Sequence, residues 1–414
     1  MNYKKQALYN TVGNLVYMAA LWLMSVLTVH LSGFEDAGVF SIAMSVGNIF
    51  FFIAVYGMRS FQASDSLYQY SPGEYCAVRW ITTGAAALCL AGYLALTGYS
   101  FYITLAVIFY TLYKFAEAAS DVFFGELQRV GHLEVCGISM SAKGILSVVA
   151  FCIVLFITKN LPSALLAMVI LAIAFCIFYD IKGYRKYSTQ KFETNKKKVF
   201  SLLREGFPML LTTVFPIIVT AVPRLALEKY YGTEVLGIFS SISTPTVLIT
   251  TLVPNILAPF MTLFGHCYHE NQLKKLYRML WVALGATTLL GLVACGLAYF
   301  CGDFVMGLVF GAEIVPHLYI FVPLIIATTV YALSMAANSV LISIRRPAWL
   351  TAFSGAALVL SLILGYPIVE KFGQMGAVWA FGLPFALQLI LQLVFLTIVL
   401  FIKKSPKTNT KEEC

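Results

Sequence analysis

The sequence predicts an all-α polytopic membrane protein: about twelve transmembrane helices in two parallel six-helix lobes, with both termini cytoplasmic. Three observations lead there, namely the composition, the spacing of the apolar runs and the side on which the cations fall. Of 414 residues, 60% are hydrophobic and only 11% are charged, whereas an ordinary soluble domain carries about 25% charged residues. A single apolar core stops growing beyond roughly 250 to 300 residues, so the surplus hydrophobic surface has no polar shell to hide behind. Lipid is the remaining solvent. Soluble enzymes, disordered chains, collagens and disulfide scaffolds are excluded on this ground.

The elements follow in order, each span needing about 20 apolar residues. Lys4 and Lys5 precede an apolar stretch to Leu31 that is too long for a signal-peptide core and has no small-x-small cleavage site, so residues 10–31 read as a retained first span. Further runs bounded by charges, Gly and Pro lie at 38–58, 77–97, 101–124, 138–158 and 162–181, completing a first lobe over 1–181. Residues 182–205 carry Lys182, Arg185, Lys186, Lys191, Lys196, Lys197, Lys198 and Arg204 with few acids. They read as a cytoplasmic basic connector lying along anionic headgroups. Runs at 206–227, 236–262, 278–300, 317–342, 349–368 and 376–402 form a second lobe over 206–402, and 403–414 is a cytoplasmic tail.

Orientation comes from the cations. With the N-terminus inside, 22 of the 28 Lys and Arg residues fall on cytoplasmic segments and only Lys159, Lys229 and Lys371 on outer ones, as the positive-inside rule requires. Trp80, Trp281 and Trp349 all open helices at the inner interface, where an aromatic belt belongs. The net charge of +9 is therefore a topology signal and not a sign of nucleic-acid binding. Nine cysteines, an odd number without a Cys-x-x-Cys pair, imply neither a disulfide framework nor a metal site. Outer connections are short, the longest near 301–316, and leave no room for an external catalytic domain.

The chain also repeats itself. Gly33, Glu35, Gly38, Phe40 and Ser41 recur as Gly232, Glu234, Gly237, Phe239 and Ser240, with Val39 matched by Ile238. Each copy sits in the outer turn of a hairpin, where a Gly caps one helix and a Glu suits the dipole of the next. Six spans separate the copies, so they share one orientation, as two parallel lobes related by an axis along the membrane normal require. Proline is concentrated in the second half, including Pro208, Pro216, Pro223, Pro245 and Pro254. Since Pro frees a backbone carbonyl and bends a span, helix bending is expected there.

Two parallel six-helix repeats, the Gly-x-Glu-x-x-Gly-[Val/Ile]-Phe-Ser turn in each, and Arg224 just before the second copy resemble the multidrug/oligosaccharidyl-lipid/polysaccharide exporter superfamily. Within it the chain is similar to the Wzx-type polysaccharide flippases. The resemblance covers essentially the whole chain, though its motifs are diffuse. It implies a flippase of the bacterial plasma membrane, not an enzyme, with no catalytic residue and no cofactor. Its substrate would be a polyprenyl-diphosphate-linked oligosaccharide, moved to the outer leaflet for surface polysaccharide synthesis through a cationic cavity between alternating lobes. The bilayer and glycan-assembly proteins are the implied partners.

Subtracting the 25 cations at the two surfaces leaves Lys114, Lys143 and Arg224 inside the bilayer. Each would cost about 2.5 to 3.5 kcal/mol facing lipid, so each must face a cavity, a partner or the headgroups. As substrate residues they would hold the diphosphate, Arg by bidentate bonding. As structural residues, Lys114 would form a ladder with Glu117 and Asp121 on one face of its helix, Lys143 would snorkel, and Arg224 would snorkel outward or pair with Glu228. Glu117 and Asp121 are the candidates for an ion-coupling step.

Two rivals remain. A multidrug antiporter of the same superfamily would place acids in its cavity, yet spans 1 and 7 contain none. A membrane-embedded glycan polymerase would require a loop with placed carboxylates, and the loops here are short or acid-poor.

Overall fold

The computed structural model describes residues 3–65, 68–188, 190, 192–257, 260–344 and 346–402; the expected tail lies outside them. Among the described residues every regular element is helical. The helices are α1 (Tyr3–Val55), α2 (Met58–Ser64), α3 (Pro72–Thr97), α4 (Phe101–Arg129), α5 (Leu133–Thr158), α6 (Leu161–Phe175) and α7 (Ile181–Tyr187) in the first half. In the second come α8 (Lys196–Ser243), α9 (Val247–Leu257), α10 (Met261–His269), α11 (Leu273–Phe310), α12 (Phe321–Ser343) and α13 (Pro347–Ile402).

Nine helical stretches among the described residues are long and apolar enough to cross a bilayer, and three of them run to 52–59 residues. At 1.5 Å per residue those three would exceed the roughly 30 Å hydrocarbon core more than twofold. Each instead turns back at one glycine with positive φ: Gly33 (86°), Gly232 (85°) and Gly373 (56°). The side chains record the reversal. Tyr17 and Phe51, on either side of Gly33, both meet the Lys114 ammonium, and Ser354 and Gln388, on either side of Gly373, hydrogen-bond at 3.2 Å. Nine stretches therefore supply twelve spans, as the sequence predicts.

Within the first lobe α1 packs on α3, α4 and α5, and within the second α13 packs on α8 and α12. Helix bending follows proline in part. The eighth span is interrupted by a 3-10 turn at Thr244–Thr246 containing Pro245, and continues as α9 and α10. The first lobe has a bend of another kind, a π-helical turn at Cys176–Asp180. The connector is helical at both ends, since α7 runs into it and α8 starts at Lys196.

The lobes meet along α1 and α8, and the tightest contact joins the two copies of the repeated turn. Ser41 Oγ and Ser240 Oγ lie 2.6 Å apart. A Cβ on Gly38 would overlap the Thr233 carbonyl, and one on Gly237 would overlap the Phe34 carbonyl. This seam lies at the Gly33/Gly232 end of the molecule. At the opposite end, the Tyr56 hydroxyl donates to the Leu203 carbonyl at 3.1 Å and the Tyr70 hydroxyl to Glu205 at 2.8 Å.

Candidate functional site

The intramembrane charges named from sequence separate into four environments. Arg224 stands eight residues before Gly232 on α8, about 12 Å along the axis from that turn. It lines a partly open cavity of about 180 Å³ between α8, α9, α12 and α13 of the second lobe, whose walls combine Thr220, Ser243, Thr246, Thr250, Thr328 and Tyr331 with the apolar Phe239, Leu324 and Phe381. Its nearest polar partner is the Ser243 hydroxyl, at 3.5 Å. Among the described residues no carboxylate lies within ion-pair distance of Arg224, and no acid lines the cavity. The i+4 pairing with Glu228 does not form.

Lys114 is neutralised. Its ammonium sits 2.8 Å from Glu117 and 2.9 Å from the Tyr17 hydroxyl, with the rings of Tyr17, Phe51, Tyr110 and Tyr113 at 5.3 to 5.7 Å. Four ring faces and one carboxylate satisfy an ammonium buried in the middle of a lobe.

Asp121 does not join this pair. Seven residues from Lys114, it lies about 10.5 Å further along the helix, beyond the reach of a lysine already bound to Glu117. It accepts instead from Arg79 at 2.9 Å and stands 3.5 Å from Arg59. The three-member ladder drawn from spacing is thus a two-member pair and a separate cluster. Arg79, counted among the cytoplasmic cations, is 4% exposed and also donates to the Ala54 carbonyl at 2.7 Å.

Lys143 is buried rather than snorkelling. It contacts Asp180 at 2.5 Å and Ser120 at 2.7 Å, while Ser139 donates to the other Asp180 oxygen at 2.6 Å. The π-helical turn carries Asp180 at its end, so an irregular turn aims the carboxylate at Lys143. One layer nearer the connector, Arg129 pairs with Glu126 at 2.5 Å and Asp65 at 3.4 Å. Asp65 also accepts the amides of Gln69 and Tyr70. Neither Asp180 nor Arg79 was singled out by sequence reading. Their only sequence signal is an ionisable residue at the edge of an apolar run, and the partners lie 37 and 42 residues away.

The structure therefore brings Lys114 to Glu117 and leaves Lys143, Asp121 and Arg224 in separate places. The first four residues belong to the first lobe and only Arg224 to the second. No group of three or more His, Cys, Asp or Glu among the described residues could hold a metal ion.

A family model described as "Polysaccharide biosynthesis protein" matches residues 80–264. The capsular polysaccharide biosynthesis protein CapF of Staphylococcus aureus is 28% identical over 318 residues, 74% of this chain and 76% of CapF. The chain is thus similar to polysaccharide-biosynthesis proteins over part of its length. Its fold is that of the MOP superfamily transporters. The lipid II flippase MurJ, in an inward closed conformation, superposes with a TM-score of 0.71 at 13% identity, over 95% of this chain and 89% of MurJ. An inward-facing MATE family multidrug transporter gives 0.67 at 16% identity, over 97% and 96%. The fold and the similarity to polysaccharide-biosynthesis proteins agree with the resemblance drawn from the repeated turns, and the multi-pass membrane architecture stands.

Proposed function

We propose that the chain is a flippase carrying a polyprenyl-diphosphate-linked oligosaccharide from the inner to the outer leaflet of a bacterial plasma membrane. The reading rests on one observation. Arg224 is a guanidinium without a carboxylate partner among the described residues, set in a cavity of the second lobe that hydroxyls help to line. A cation that cannot shed its proton and has no counter-ion among the described residues calls for an external anion. A lipid-linked diphosphate supplies one, and the guanidinium can bind two of its oxygens at once. A drug antiporter taking cations would find a repulsive charge there.

Transport by alternating access would require the seam at Ser41 and Ser240 to part while the opposite ends of the lobes approach. The glycine-to-carbonyl packing suits such a contact, because at Gly38 and Gly237 backbone meets backbone directly. Lys114 and Lys143 have lower claims as substrate residues, since Glu117 and Asp180 already neutralise them. Glycan-assembly proteins would deliver and accept the substrate.

The test is complementation of a flippase-deficient strain, with binding of the lipid-linked substrate measured on purified variants. A charge-assisted hydrogen bond contributes about 1.5 to 3 kcal/mol, so Arg224→Ala should weaken binding roughly ten- to hundredfold at normal abundance. Arg224→Lys should be intermediate, keeping the charge but losing the fork. Normal export and binding by Arg224→Ala would remove the cavity from the mechanism.

A further inference from the structure

The hydroxyls around Arg224 share a feature that the diphosphate alone does not use. Thr220 donates to the Ile217 carbonyl at 2.8 Å, Ser243 to Ser240 at 2.8 Å and Thr246 to Ser243 at 2.7 Å. Thr250 donates to Val247 at 3.0 Å and Thr328 to Leu324 at 2.8 Å. A hydroxyl has one proton and two lone pairs. With each proton committed to its own helix backbone, these five side chains offer the cavity only acceptors.

Acceptors need donors, and the candidate ligands differ sharply in what they donate. An ionised phosphate brings only acceptor oxygens, so it can be held by Arg224 but gains nothing from the collar. A metal ion or ammonium could use the lone pairs, but Arg224 stands among them. A sugar ring carries several O–H donors on an uncharged body. Tyr331 adds the complementary group. Its hydroxyl has no hydrogen-bond partner among the described residues, and its ring packs on Phe385 with centroids 4.0 Å apart, so the ring is held in place with its O–H free to donate. Placement agrees with this division: Thr220 lies one turn from Arg224 on α8, Thr246 one turn from Thr250 at the start of α9, and Thr328 one turn from Tyr331 on α12. The collar thus surrounds the guanidinium on three helices.

We propose that this second-lobe cavity is a sugar-phosphate subsite, in which Arg224 takes the phosphate and the acceptor collar with Tyr331 takes the hydroxyls of the sugar bonded to it. The inference rests on the phosphate reading of Arg224 and goes beyond it by assigning a separate set of residues to the sugar. It predicts that the sugar contributes to affinity independently of the lipid and the phosphate.

The experiment compares two probes on purified protein in lipid nanodiscs: bare polyprenyl diphosphate and the same lipid carrying one hexose. Thr250→Val with Thr328→Val keeps side-chain volume and deletes two acceptors. Binding of the hexose-bearing lipid should fall about five- to thirtyfold, binding of the bare lipid less than about twofold, and Thr250→Ser with Thr328→Ser should restore the difference. Arg224→Ala should weaken both probes. Equal loss on both probes, or loss on neither, in the Val variant overturns the sugar subsite while leaving the phosphate reading intact. If Arg224→Ala changes neither probe, the phosphate reading fails and the subsite fails with it.

Discussion

Adding one methyl group at the lobe seam should change which side of the protein is open. Gly38 faces the Thr233 carbonyl so closely that a Cβ cannot be accommodated without movement of the backbone. Overpacking of this kind costs about 1 to 3 kcal/mol, and in Gly38→Ala the cost falls only on the state in which the seam is closed. The gain in helix propensity on replacing Gly, about 1 kcal/mol, is common to both states and cancels. The closed-to-open ratio should therefore fall by roughly five- to 150-fold. A cysteine at Ser41, which is 5% exposed with the seam closed, reports the change. Its labelling by an impermeant maleimide added outside the cell should accelerate by up to that factor for as long as the closed state dominates. Gly84→Ala, where nothing lies within 4 Å of the added carbon, is the matched control. An unchanged labelling rate in Gly38→Ala protein of normal abundance would mean that the seam does not part. The converse perturbation should agree: cysteines at Ser41 and Ser240, joined as a disulfide, should stop export until reductant is added.

Other expectations concern charge. Lys143→Ala leaves the Asp180 carboxylate buried and unpaired, which costs about 3 to 5 kcal/mol; thermal melts of purified protein should show the loss, and Lys143→Met with Asp180→Leu should recover most of it. Asp121→Asn should lower protein abundance because two guanidiniums lose their anion; normal abundance with export made insensitive to an imposed ion gradient would instead give Asp121 a coupling role. Reporter fusions after Thr194 and Lys407 should read inside and one at Thr233 outside, and any odd pattern contradicts the cation count.

Span number and the internal repeat were readable because each depends on local pattern: apolar run length, and a turn sequence that occurs twice. That the two turns touch was not readable, yet symmetry explains it. A residue near a two-fold axis meets its own counterpart, so Ser41 finds Ser240 and small residues must occur in both copies at once. Pairings inside the first lobe were harder. Spacing along α4 puts Lys114, Glu117 and Asp121 on one face, but which neighbouring helix brings Arg79 or Asp180 into range depends on packing, which periodicity does not encode. Arg224 stood out for the opposite reason, since its local sequence offers one acid, Glu228, and the fold does not use it.

The course of α8 has a mechanical consequence. Near its start the helix is fastened to the first lobe, where Gly206 meets Met58 and Tyr56, and Met209 lies against Gly57. From Phe215 onward it packs on the second lobe, with Phe215 beside Gly355, Val219 clustered with Ala357 and Phe385, and Val222 against Gly365. One rod is thus clamped in both halves, and any rocking of one lobe on the other must be taken up as flexure between Met209 and Phe215. Pro208 and Pro216 bracket that interval; Pro216 removes the bond to the Thr212 carbonyl that would stiffen it, and Pro208 removes the bond to the Arg204 carbonyl just before it. The torque path between the lobes runs through this short shaft and not through the basic segment before it. Extra residues spliced between Tyr187 and Asn195 should therefore leave the stroke unaltered, whereas stiffening the shaft by replacing both prolines with Ala should shorten it.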